Sequence, residues 1–315
     1  MKNNGTSPMR ENNLSHELTV VGSAALDTIE TPSGRVEDAL GGSAFYIGAA
    51  ASMFTPLHLI AVVGEDFPMA EIAFLRARGV NLDGLEVASG ATFRWEGRYH
   101  ENMNHRDTIC TKLGVFEGFK PKLPRKAAEA GFLLLANIDP KVQLEVLRKM
   151  KSTRLTAFDT MNLWINERRS LVDQLIRKVD VVIVNDEELS LLTGTNSMLN
   201  GGLELLRRGP RYVVVKKGEH GAILLGRDQP PFLCPAYPLS APKDPTGAGD
   251  TFAGAMIGYL AATGELSPFN FRRAVVYGTV TASFAVEEFG LGRLKSVTFE
   301  EIEERFRTFQ AMVEF

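Results

Sequence analysis

Cysteine is scarce in this chain: Cys110 and Cys234 are the only two in 315 residues, and they form no C-x-x-C pair. Five scattered histidines likewise offer no metal-ligand spacing. The composition therefore gives no basis for a disulfide framework or a zinc site, and it fits a reduced, cytoplasmic setting. Long apolar runs are also missing. The longest, such as Phe132–Ala136, are far too short to cross a bilayer. The first dozen residues are polar and rich in Asn, without the apolar stretch of a secretory signal, so Met1–Ser15 reads as a loose tail. Nor is there an excess of one charge: a formal net charge of −3 supplies no electrostatic reason to expect nucleic acid. What is present is ordinary globular material, 44% hydrophobic and 23% charged, enough for one large α/β domain or two small ones.

Short β-like runs alternate with longer helical patterns. Leu18–Val21 and Leu57–Val63 end in Gly22 and Gly64, and Phe132–Ile138, Leu155–Asp159, Val179–Asn185 and Tyr212–Lys216 repeat the pattern. Helical periodicity fills the gaps over Ala44–Met53, Ala70–Arg78, Lys141–Lys149, Arg168–Lys178 and Leu199–Arg208. Repeated strand–helix–strand order predicts a mostly parallel sheet with helices on both faces, and ligands beyond the carboxyl ends of its strands. That rim would carry Asp27, Asn137, Asp159 and Asn185. Two stretches break the rhythm. Thr92–Thr111 alternates apolar and polar residues around a turn at Glu101–His105, and the segment from Asp27 to Gly41 turns at Pro32–Gly34. Both read as surface hairpins or as parts of a small β lid over the rim, near 28–40 and 92–111. No repeat or low-complexity linker divides the chain, so residues 16–315 are expected to form one domain with a lid.

The chemistry concentrates in Lys243–Gly254, KDPTGAGDTFAG. Gly247, Ala248 and Gly249 precede a helix whose Phe252, Met256, Tyr259 and Leu260 recur at helical spacing. Small residues let backbone N–H groups approach an anion, and the helix N-terminus adds the positive end of its dipole. Asp250 would place a carboxylate beside that anion site, where it could take a proton from an attacking hydroxyl. Read alone, the same loop could be a glycine turn with an Asp that serves only the helix dipole.

Asp244-x-Thr246-Gly247-Ala248-Gly249-Asp250 resembles the C-terminal signature of the PfkB (ribokinase-like) family of sugar and nucleoside kinases. The resemblance runs from about Leu18 to Gly290, with further features in family order. Gly22-Ser23 followed by Asp27 resembles the first strand and its substrate-binding Asp, and Gly41-Gly42-Ser43 resembles the di-glycine that opens a helix and contacts substrate. Val63-Gly64-Glu65-Asp66, Asn185-x-x-Glu188 and Lys217-Gly218-x-x-Gly221 follow in register. Each has a plain alternative: Asp27 as a turn cap, Gly41 and Gly42 as a tight turn, Asn185 with Glu188 as a helix capping box, Lys217–Gly221 as a hairpin turn. Asp159 and Asn162 sit in a stretch similar to the family's D-x-N-x-R-x-x-W, but this sequence reads Asp-Thr-Met-Asn-Leu-Trp, so the Arg is missing.

The resemblance implies a three-layer ribokinase-like fold and transfer of the ATP γ-phosphoryl group to a hydroxyl, a CH₂OH above all. Asp250 would be the base and Gly247, Ala248 and Gly249 the anion hole. Asp27, Gly41, Gly42, Ser43, Asn137 and Asp159 would hold the acceptor, with Arg94 or Arg98 reading a phosphate on a phosphorylated sugar. Asn185 and Glu188 would organise hydrated Mg²⁺, Lys217, Gly218, Gly221, Thr246 and Gly278 would serve the nucleotide, and Asp244 with Thr246 would match part of a K⁺ site. The Gly290–Leu294 segment lacks a counterpart to that site's usual small-residue ligands, and the short Asp27–Gly41 segment argues against ribose and against a dimer built by exchanging lid strands. The chain could thus be a monomer or homodimer that acts on small molecules, not on nucleic acid or membranes. A sugar is the first expectation for the acceptor. A nucleoside is the second, with Phe93, Trp95 and Met103 receiving a base, and a weakly catalytic sensor of nucleotide or sugar is the third. A nicotinamide-dependent enzyme is disfavoured because no G-x-G-x-x-G turn follows the first strand.

Overall fold

The computed structural model describes residues 16–314; Met1–Ser15, read above as a loose tail, lies outside them. In chain order the strands are β1 (Leu18–Val21), β2 (Ala25–Thr31), β3 (Gly34–Gly41), β4 (Leu57–Gly64), β5 (Val80–Ala88), β6 (Phe93–Tyr99), β7 (Arg106–Lys112), β8 (Phe132–Leu135), β9 (Leu155–Asp159), β10 (Val181–Asn185), β11 (Tyr212–Lys216), β12 (Ala222–Gly226) and β13 (Phe232–Cys234). Nine of them form one sheet in the order β13-β12-β11-β10-β9-β8-β1-β4-β5. All its pairings are parallel except β11–β12 and β12–β13.

The central strands are apolar on both faces because each must serve two cores. Leu18, Val20, Phe132, Leu134, Val181 and Ile183 enter one, whereas Val21, Leu133, Leu135, Val182 and Val184 enter the other. The first core is covered by helices Ser43–Ala51, Ala248–Thr263, Pro268–Ala285 and Phe299–Val313, the second by Pro140–Lys149, Arg169–Ile176, Asp186–Thr193 and Met198–Arg208. Small residues set one of these contacts. A Cβ on Gly254 would lie 2.8 Å from the Ile47 backbone and one on Gly258 3.0 Å from that of Ala51, so the Ser43 and Ala248 helices touch almost backbone to backbone. Their starts are thereby brought together above the same sheet edge.

The remaining four strands form a second sheet, β3-β2-β6-β7. Both expected hairpins are present in it, β2–β3 and β6–β7. Parallel pairing of β2 with β6, from Ala25 opposite Phe93 to Glu30 opposite Arg98, fuses them into one lid. This relocates Asp27: it does not end a strand of the main sheet but sits within β2, in the lid itself. Two other sequence readings also change. Strand β8 stops at Leu135, and the next residues bond across to the β1 end, through Ala136 N to Val21 O and Ser23 N to Asn137 O. Strand β5 escaped detection because it is an edge strand whose Asp83, Glu86 and Val87 reach outward, interrupting the apolar run.

Candidate active site

A cleft of about 1920 Å³ lies between the lid and the carboxyl ends of the parallel strands, roomy enough for two small molecules side by side. Its floor is built by neighbouring strand ends. The register sets Ile183 opposite Asp159 and Asn185 opposite Lys216, so β9, β10 and β11 deliver Asp159, Asn185 and Lys216 to one rim.

The Ala248–Thr263 helix begins over this floor. Gly247 caps it at φ 73°, a left-handed conformation that suits glycine, and a side chain there would overlap the Tyr46 ring. No side chain caps the helix start, and Ala248 N donates to Pro245 O at 3.2 Å, so Gly249 and Asp250 supply the leading N–H groups beside the cleft. Asp250 stands in that first turn. Close packing pushes its carboxyl up to about 7, and Asp159 pushes the same way against the pull of Lys216 and Arg106. A carboxyl poised there can accept a proton near neutral pH.

Asp27, in the same cleft, is buried at 4% exposure, and its carboxyl is pushed up to about 8 by that burial, against the Gly42 amide hydrogen bond and with Asp244 and Asp250 adding to the rise. The Gly-Gly pair has two separate duties. A side chain at position 41 would overlap the Asp27 carboxylate, and Gly42, at φ 84°, lies against the Ser23 carbonyl. Ser43 lines the cleft, yet its hydroxyl donates to Asn137 O at 3.0 Å and accepts from Ser23 N at 3.1 Å, tying two loops together. The Asn137 side chain is held by Trp164 Nε1 at 3.0 Å and by Met161 Sδ at 3.3 Å.

Asn185 and Glu188 do form a capping box: Glu188 N donates to Asn185 Oδ1 at 2.7 Å, and Asn185 N donates to Glu188 Oε2 at 2.8 Å. Both also line the cleft, so the capping box does not withdraw them from it. Glu188 is pushed up to about 8 by burial, with Lys216 opposing and Asp159 assisting. Asp244 is fully buried, and its two oxygens accept from Thr246 N at 2.9 Å and Gly290 N at 2.8 Å, clipping the anion loop to the Gly290 segment. Thr246 in turn hydrogen-bonds Tyr99 of the lid at 3.1 Å.

Lys217, Gly218 and Gly221 shape a turn at the cleft rim, closed by Lys217 N donating to Gly221 O at 2.7 Å. The lid tip reaches this turn, where Asn104 Nδ2 donates to Glu219 Oε1 at 3.2 Å. Gly278 does not line the cleft. It packs against the Phe252 backbone at a helix crossing, while Thr279, Ala282 and Ser283 of the same helix face the cavity.

Strand alternation decides the fate of the lid arginines. On β6, Phe93, Trp95 and Tyr99 face the cleft, so Arg94 and Arg98 point away from it. Arg94 is engaged by Asp38 and Asp66, and Arg98 by Glu30. Neither is placed to read a phosphate in this cavity, because both guanidiniums are spent on the outer face. Arg106 at the start of β7 does line the cleft, 5.9 Å from the Trp95 ring centre. Lys216 and Arg106 are the two cleft cations that sequence reasoning missed. Lys216 could have been found by counting it as the last residue of a strand parallel to the one ending at Asn185; Arg106 carries no such signal in the sequence. No helix among the described residues is long and apolar enough to cross a membrane.

Comparison with known proteins agrees with this geometry. The cytidine kinase of Thermococcus kodakarensis is 28% identical over 250 residues, covering 78% of this chain and 87% of that protein. The deoxyribokinase of Salmonella typhi is 25% identical over 301 residues, covering 87% and 97%. The nucleoside kinase of Methanocaldococcus jannaschii, an archaeal member of the ribokinase family, superposes with a TM-score of 0.74 at 20% identity, covering 93% of this chain and 98% of that one. The model of the pfkB family carbohydrate kinases matches residues 15–296. The chain therefore belongs to the pfkB carbohydrate kinase family, whose members use ATP to phosphorylate a hydroxyl of a sugar or nucleoside.

Proposed function

We propose that this enzyme transfers the γ-phosphoryl group of ATP to a primary hydroxyl of a neutral furanoside, a nucleoside before a free sugar, with Asp250 as general base. The observation that carries the reading is the convergence of Asp27 and Asp250 on one cleft that is also lined by the aromatic residues Phe93, Trp95 and Tyr99. Asp27 and the Gly42 amide would hold ring hydroxyls. Phe93 and Trp95 offer a flat apolar surface for a base. The lid cations that could have read a sugar phosphate, Arg94 and Arg98, are already paired outside. A free sugar remains the second reading, favoured by the near-complete overlap with the deoxyribokinase.

In the reaction the acceptor oxygen attacks the γ-phosphorus as its proton passes to Asp250. Positioning and charge stabilisation dominate such transfers, and the amides of Gly247, Gly249 and Asp250 would meet the growing negative charge. Glu188 keeps one carboxylate oxygen outside its capping box, which with Asn185 fits a hydrated Mg²⁺ arriving with the nucleotide. Bound there, Mg²⁺ would neutralise phosphate charge. Asp244 and Thr246 are the candidates for a K⁺ site, tested by comparing turnover in potassium and in sodium salts. The lid, with residues 16–315 acting as one domain, would exclude water from ATP.

A panel of nucleosides, pentoses and pentose phosphates with Mg-ATP, read as ADP release, tests the assignment. Turnover is expected for a nucleoside or free pentose; turnover of pentose phosphates alone would overturn the acceptor class, and none at all would favour a sensor.

A further inference from the structure

Among the charged groups of the cleft, Lys216 is left without a role by the chemistry above. It ends β11, its side chain is 17% exposed, and it lines the cavity. Its ammonium donates to Asp159 Oδ2 at 3.1 Å, the one hydrogen bond it makes among the described residues. The other Asp159 oxygen accepts from Thr160 N at 2.7 Å. Each oxygen of Asp159 thus already accepts one hydrogen bond, which makes the carboxylate an anchor for the lysine.

An ammonium has three N–H donors, and with one spent on Asp159 the others are available to a group in the cleft. The space beside Lys216 indicates where that group would sit. Its Nζ lies 3.1 Å from the position a Cβ on Gly249 would take, so it flanks the loop whose amides lead the Ala248–Thr263 helix. Burial opposes the charge on Lys216, yet Asp159, Glu188 and Asp250 together hold the ammonium above the ordinary lysine value. A salt bridge alone is a weak reason to bury a lysine, because desolvation consumes most of its Coulomb energy.

We propose that Lys216 is a catalytic cation, its ammonium contacting the oxygens of the phosphoryl group in transit, with Asp159 as its positioning residue. This rests on the phosphotransfer reading above. During the step the bond from acceptor oxygen to γ-phosphorus forms and the bond from γ-phosphorus to the β-bridging oxygen breaks. ADP leaves with that electron pair, and the acceptor proton goes to Asp250. The phosphoryl oxygens remain charged throughout, and Lys216 stays protonated beside them.

The test compares ATP with ADP binding by titration calorimetry in the presence of Mg²⁺, for wild type, Lys216→Met, Lys216→Arg and Asp159→Asn. Lys216→Met is expected to weaken ATP by ~10-fold or more while moving ADP less than about twofold, because only ATP carries the γ-phosphate. With cytidine or deoxyribose as acceptor, whichever is turned over, its kcat should fall by ~10²-fold with acceptor KM little changed, and Lys216→Arg should recover part of the loss. Asp159→Asn, which keeps the cation but loosens it, should show the same ATP-selective weakening in smaller measure, and it carries the test if Lys216→Met does not fold. Equal losses for ATP and ADP, or kcat within threefold of wild type in a variant with an unchanged melting temperature, would overturn the proposal. Failure of the wild type to turn over either acceptor would count against the acceptor assignment and leave the binding comparison decisive.

Discussion

The Asp27 carboxylate occupies the space that any side chain at position 41 would need. Glycine at 41 is therefore what leaves room for Asp27, the proposed acceptor-binding residue. Gly41→Ala is expected to displace Asp27 and raise the acceptor KM by ~10-fold or more, with the KM for ATP nearly unchanged. Steady-state kinetics with both substrates varied would check this; an equal rise in both values would mean the damage is general.

Asp250→Asn removes the proton acceptor while keeping size and shape. The expected loss is ~10²-fold or more in kcat, with ATP affinity retained. Full activity in that variant would rule out the base assignment. In the wild type the base must be ionised to work. With its carboxyl held near 7, kcat/KM should climb about tenfold per pH unit below that value and level off above it.

Three cleft carboxyls, Asp27, Glu188 and Asp250, are held in the folded protein at about 8, 8 and 7, against 3.8 to 4.5 for ordinary Asp and Glu. The folded state thus binds more protons than the unfolded state across that interval. Linkage then requires stability from these groups to be full below about pH 4 and lost as pH rises toward 8. The ligand-free protein should melt at a higher temperature at pH 5.5 than at pH 8. Scanning calorimetry would settle the sign, and removing one contributor with Asp27→Asn should flatten the slope.

Two lid arginines close in sequence should behave differently. Arg106 lines the cleft, whereas Arg98 is paired with Glu30 on the outer face. Arg106→Gln is expected to lower kcat/KM by ~10-fold, and Arg98→Gln to stay within about twofold because exposed ion pairs contribute little. Reversed effects would mean that the lid presents its other face to substrate.

Much of the fold was legible because buried parallel strands must be apolar on both faces, and runs such as Leu18–Val21 and Tyr212–Lys216 could be nothing else. The half-exposed edge strand β5 gave no such signal. The helix start at the cleft was legible too, since Gly247, Ala248, Gly249 and Asp250 are contiguous. Its supports were not: Tyr46 beneath Gly247 and Asp27 against Gly41 are contacts between residues far apart in the chain or on different elements.

The sequence by itself determined the family, the alternation of strands and helices, and the residues of the Gly247–Asp250 turn, because each depends on local periodicity or on neighbours along the chain. Only tertiary structure decided that Asp27 belongs to the lid, that Arg94 and Arg98 turn outward, and that Lys216 meets Asp159. Those outcomes follow from strand register and from parallel pairing between β2 and β6, and register is fixed by packing across the whole sheet rather than by any short stretch of residues.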